Sequence, residues 1–166
     1  MEMVQIAMGS DRQVWANYLG RIIFSMNEID WILSRIRVEV FKAELSSIWL
    51  SKTFSERLVS IAEKIKQVPG SPAMDELKRL IERTEPLNKV RNHVAHGMLG
   101  LVGAPEGAPR GASFVMIRYN KNKMHEITFN VLVERTKEAM KLGDDYSLFF
   151  AMCQSHADFI APYARN

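Results

Sequence analysis

One cysteine, Cys153, is all the thiol the chain has. No internal disulfide can form, and a reducing, cytoplasmic setting is the expectation. The first dozen residues contain no apolar h-region, so no secretory leader is expected. No apolar run approaches the ~20 residues that cross a bilayer, so a membrane partner is not expected. Charge of one sign is also scarce. The formal net charge is +3, and the lysines and arginines are dispersed rather than clustered. Composition therefore permits a polyanionic partner without requiring one. Gly-x-Gly-x-x-Gly and Walker patterns are missing, and the serines form no nucleophile elbow. His93 and His96 are three apart, but no Glu-x-x-His pattern or second histidine pair supplies further ligands. Cys153 and His156 form another pair without a complement. Neither a cofactor nor a metal is expected.

What is present is a chain of 166 residues, 47% of them apolar, enough for one domain (1–166) with its own core. Residues 1–10 read as a loose leader. From Asp11, a plausible N-cap, an apolar row runs through Val14, Tyr18, Ile22, Met26, Ile29, Leu33, Ile36 and Val40 in steps of three or four, which predicts one long amphipathic helix. Gly20 within it either admits a neighbouring helix or is simply tolerated. Thr53 and Glu56 form a capping box for a second helix reaching about Val68. Pro69-Gly70-Ser71-Pro72 ends that helix, and Ser71 with Pro72 starts a third. Pro86 predicts a kink near Arg83–Glu85, or a short break recapped by Thr84, before helix resumes from Leu87 to about His96.

Beyond Gly97 the texture changes. Residues 100–111, rich in glycine and proline, read as loop. Residues 113–119 and 123–129 read as a β-hairpin turning at 120–122. His125 falls on its second strand. A last helix from near Asn130 carries Leu132, Thr136, Ala139, Met140, Gly143, Tyr146, Phe150, Cys153, Ala157 and Ile160. The row keeps its phase through Gly143, so one helix is expected rather than two. His156, beside this row, reads as a partly buried structural residue.

The segment Val90–Gly97 holds two of the four histidines. At ~100° per residue, Leu87, Val90, Val94 and Met98 share a core-facing sector. Arg91 lies at its margin. Asn92 and His96 lie together, nearly opposite the core, with Asn92 placed to hydrogen-bond His96. Arg91 and His96 do not share a stripe, so Arg91 must reach round on its long stem, or the two must meet across an interface. From the residues alone this is an amphipathic helix with a richly polar side. Glu28 and Asp30 on the first helix are either a solvated edge or partners for Arg91 or His96.

Arg91-Asn92-x-x-Ala95-His96-Gly97, late in a central helix, resembles the Arg-x4-6-His signature of the HEPN superfamily. The long helices and the helical finish are also similar, as are Leu19-Gly20-Arg21-Ile22 and Asn27-Glu28-Ile29-Asp30 on the first helix. The resemblance implies a mainly helical bundle of long up-and-down helices with one inserted β-hairpin, forming a homodimer that brings two motifs to one cleft. It implies a metal-independent endoribonuclease, related to toxins or defence, with RNA as partner and, for toxin members, an antitoxin protein. In that role Arg91 clamps the scissile phosphate, His96 transfers protons and Asn92 orients His96. Met98 stands where some toxin members carry a modified tyrosine, so that regulation is not expected. Two further readings stay open. One is a non-catalytic HEPN-like module that binds RNA, nucleotide or protein; the other is a helical dimerisation protein.

Overall fold

Helix α1 (Glu2–Glu39) opens the computed structural model, which describes residues 2–102, 113–120 and 123–155, with side chains over 12–97 and 125–155. The helix includes the stretch expected as a loose leader and runs straight through Asp11, which is therefore no cap. Good helix formers such as Met3, Gln5, Ala7 and Met8 carry the pattern there, and Gly9 costs only about 1 kcal/mol, too little to stop it. The buried side of α1 is Ile22, Met26, Ile29, Leu33 and Ile36. Near its start Trp15, not Val14, turns inward. Phe24, Trp31 and Val38, seven residues apart, lie on the exposed side. A side chain at Gly20 would meet nothing within 4 Å, so this glycine is tolerated rather than required. The helix ends as Lys42 takes φ 51° while Ala43 N–H bonds back to the Arg37 carbonyl at 3.1 Å. That reversal is the usual left-handed helix stop.

The chain then makes a short helix, α2 (Ser47–Ser51), not foreseen from periodicity. Ser46 caps it, and it exists to bury Trp49, whose Nε1 donates to Ser34 Oγ at 3.2 Å. Arg37 and Arg57 lie over the indole ring. Helix α3 (Phe54–Gln67) begins at the expected capping box: Thr53 Oγ1 accepts from Glu56 N–H, and the Glu56 carboxylate accepts from Thr53 N–H at 2.7 Å. Arg57 fixes this end twice, on Asp30 of α1 at 2.8 Å and on the Leu50 carbonyl at 3.0 Å.

Helix α4 (Pro72–His96) starts with Ser71 as cap and is continuous through Pro86, so the chain neither breaks nor recaps at Thr84. Instead the Thr84 hydroxyl bonds back to the Leu80 carbonyl at 2.7 Å. Met74, Leu77, Leu80, Ile81, Leu87 and Val94 are buried on it.

Three antiparallel strands follow in the order β1 (Met98–Val102), β2 (Ser113–Asn120), β3 (Lys123–Thr128). The expected hairpin is β2–β3, with Arg118 opposite His125. Strand β1 arises from the front of the stretch expected as loop, pairing Met98 with Ile117 and Val102 with Ser113. The rest of that stretch, 103–112, and the turn residues 121–122 lie outside the described residues. Phe129, expected to end the strand, begins helix α5 (Phe129–Ser155) and packs its ring on Trp15 and Tyr18.

Helix α5 passes through Gly143 unbroken, as the phase of its apolar row requires. Leu132, Thr136, Ala139, Gly143, Tyr146, Phe150 and Cys153 are buried as expected, whereas Met140 is exposed and Leu142 and Phe149 turn inward. Ala157, Ile160 and His156 lie outside the described residues. Helices α1 and α5 lie side by side in the same direction. Thr136 meets the Tyr18 carbonyl, Gly143 sits beside Glu28, and Gln154 bonds Glu39. The result is a mainly helical bundle carrying a small sheet.

Candidate functional site

The end of α4 and the start of α3 enclose a surface cleft of about 360 Å³, lined by Thr53, Phe54, Ser55, Asn88, Arg91, Asn92 and His96. Local sequence explains each side. Of the α4 residues, Asn92 and His96 lie on the side away from Leu87 and Val94, both buried, while Arg91 and Asn88 lie at the margin of that buried side. The α3 residues are there because Thr53 caps the helix, so that Thr53, Phe54 and Ser55, at the helix start, line the cleft.

Arg91, Asn92 and His96 thus meet in one cleft within a single chain. Arg91 is half-buried, and its Nη1 donates to Asn92 Oδ1 at 3.1 Å. It does reach round its helix on its stem, one of the two arrangements the helical angles allowed. Among the described residues no carboxylate pairs with it. His96 is exposed, on the side of α4 away from Leu87 and Val94. Asn92 is half-buried, because the start of α3 covers part of the face expected to be open.

Asn88 is the residue that sequence reasoning passed over. It is only 5% exposed, and its Nδ2 donates to Ser55 Oγ at 2.8 Å, tying α3 to α4 under the cleft. A signal was available: Asn88, Asn92 and His96 follow one another at four-residue steps, a continuous polar row on one helix. Thr53 was identified as a cap, but nothing local indicated that α3 would aim this end at Arg91.

The electrostatics favour an anion. Arg91 supplies a permanent charge with no carboxylate paired to it among the described residues, and the N-terminal end of α3 carries a partial positive charge. Glu56 offsets part of the latter. Its carboxyl is held below the ordinary range by the hydrogen bond from Thr53 N–H and then by the Thr53 hydroxyl, so it stays ionised at the helix start.

Other candidates fall outside the cleft. Asp30 pairs with Arg57, not Arg91, and also accepts from Ser34 through its carbonyl. Glu28 is exposed beside Gly143 of α5. His93 is half-buried, and His125 is exposed on β3. Among the described residues no group of three or more His, Cys, Asp or Glu is placed to hold a metal. Burial pushes the Cys153 thiol up to about 11, which keeps it protonated and unreactive near neutrality. Comparison with protein-family models, with curated proteins and with solved structures finds no match to this chain.

Proposed function

We propose that the chain is a metal-independent endoribonuclease of HEPN type, with Arg91, Asn92 and His96 as its working residues. One observation carries the proposal: these three side chains line one open cleft beside a helix N-terminus, and its arginine has no carboxylate partner among the described residues. Such a cleft suits a phosphodiester. Arg91 and the first N–H groups of α3 hold the non-bridging oxygens and stabilise charge that grows as the phosphorus becomes five-coordinate. RNA brings its own nucleophile. The 2′-oxygen attacks phosphorus, its proton passes to a base, and the 5′-oxygen leaves with a proton from an acid, giving a 2′,3′-cyclic phosphate and a 5′-hydroxyl. His96, exposed in the cleft, performs one of these transfers. Asn92 holds the guanidinium through Oδ1, which leaves its Nδ2 to orient His96.

A single chain offers one histidine in the cleft, while the reaction uses an acid and a base. In this reading a second copy of the chain supplies the other His96, and the working form is a homodimer. The same observation supports a second reading, a binding module that holds RNA or a nucleotide at Arg91 without cutting it. A role in defence or as a toxin, with an antitoxin partner, belongs to the first reading.

The test is cleavage of labelled RNA in the presence of EDTA. The expected result is cyclic-phosphate ends, with activity falling by about 10²–10⁴ in His96→Ala and by about 10²–10³ in Arg91→Ala. Binding without cleavage, lost in Arg91→Ala, selects the second reading. If folded variants at both positions change neither binding nor cleavage, both readings fail.

A further inference from the structure

We infer that the cleft continues past Asn88 into a second subsite, which holds the nucleoside next to the phosphate at Arg91. This inference rests on the RNA reading above. A neighbouring cleft of about 240 Å³ is lined by Ser55, Leu58, Val59, Glu85, Asn88, Lys89 and Asn92. Ser55, Asn88 and Asn92 also line the first cleft, so the two meet along a common wall between α3 and α4.

The two halves differ in charge. In the first, Arg91 lacks a carboxylate partner among the described residues and selects an anion. In the second, Lys89 and Glu85 offset one another over an apolar floor. Val59 on that floor is 54% exposed although it belongs to a helix that buries Leu58 and Ile61. A neutral, flat, partly apolar group suits such a place, and a nucleobase is that kind of group.

Asn88 stands at the junction with an unmet bond. The residue is 5% exposed, Nδ2 is taken by Ser55, and Oδ1, itself without exposed surface, has no hydrogen-bond partner among the described residues, so a ligand completes that bond as the side chain turns toward the cleft. A buried carboxamide left half-bonded is costly, and a ligand that completes it recovers that cost. The Ser55 hydroxyl can accept or donate. The amide can therefore turn over, keep its Ser55 bond and present Nδ2 in place of Oδ1. A contact of that kind meets the polar edge of a base whichever atom the base offers, so the subsite positions a nucleoside without strict choice of base.

Two probes separate the subsites: inorganic phosphate, and the dinucleoside monophosphate UpU with its first sugar 2′-deoxy so that it cannot be cut. Binding is followed by NMR titration. Arg91→Ala is expected to weaken both probes. Asn88→Leu is expected to weaken UpU about fivefold, and phosphate by less, because Asn88 lines both clefts. Val59→Ser, on the surface, safe for folding and lining only the second cleft, is expected to weaken UpU about threefold with phosphate unchanged. If UpU and phosphate weaken in parallel in Val59→Ser, or UpU is unaffected by it, the subsite is refuted while the Arg91 reading stands. If neither probe responds to Arg91→Ala, the RNA reading and the subsite fall together.

Discussion

Thr84 and Tyr146 are both fully buried, and they meet through their hydroxyls at 3.0 Å. The Thr84 hydroxyl donates to the Leu80 carbonyl, so the phenol donates to Thr84. Burial, only partly opposed by this bond, pushes the phenol well above its ordinary range and keeps it neutral. The two halves of the pair should not cost the same. Tyr146→Phe removes a donor and leaves Thr84 its bond to Leu80, at about 0.5–1.5 kcal/mol. Thr84→Val strands a buried phenol, at about 1–3 kcal/mol. Urea unfolding of both variants checks this order, and equal losses would mean that the phenol has another partner. Neither residue could be paired from sequence, because they lie on different helices. Arg57 is similar: its partners Asp30 and Leu50 come from two other helices, and nothing in its own segment indicates them. Around the cleft, Arg91, Asn92 and His96 were legible because they share one turn and a half of helix. Ser55 was not, since only packing brings it to Asn88.

Among the elements, helix ends were read best where a side chain does the stopping. Thr53 with Glu56, and Ser71 with Pro72, mark starts that the structure keeps. The stop of α1 was harder to read, because a lysine occupies a place usually given to glycine. Lys42 sits at φ 51°, a conformation that costs an L-residue roughly 1–2 kcal/mol. Lys42→Gly relieves this but gives the unfolded chain more freedom, so a net gain of about 0.5–1 kcal/mol is expected. A thermal melt of that variant reads it directly, and a lower Tm would contradict it. Helix α2 escaped notice because five residues are too few to display a period. Strand β1 escaped because Gly100 lies within it and glycine-rich residues follow, so its composition resembles loop. It is a strand because β2 provides a ladder for it.

For the molecule as a whole, titration sets the limits of stability. Among the described residues three carboxyl groups, Glu39, Glu56 and Glu76, lie below their ordinary value of 4.5. Hydrogen bonding to Thr53 lowers Glu56, and hydrogen bonding to Arg79 lowers Glu76. At Glu39 burial acts the other way, but bonds from Gln154 and Arg35 prevail. A depressed carboxyl contributes stability that is fully present above its unfolded value and is lost as pH falls through its folded value. Tyr146 and Cys153 are shifted upward by burial from 10.0 and 9.0, so their contribution is present below those values and lost as pH rises. The expected profile of Tm against pH is therefore a plateau from about 5 to 8, with falls below about 4.5 and above about 9. Glu76→Gln should soften the acid fall, and an unchanged acid limb in that variant would show that the Arg79 pairing adds nothing.

By itself the sequence determined the four long helices apart from the start of α1, the caps at Thr53 and Ser71, the β2–β3 hairpin and the face on which His96 lies. Each of these follows from side chains within a few residues of one another, where period and capping chemistry are enough. The cleft was decided only in the tertiary structure. Burial of Trp49 and the bonds of Arg57 bring the start of α3 against the end of α4, and that contact sets Ser55 and Asn88 beside Arg91. Residues 33 positions apart meet there, and no local pattern encodes that distance.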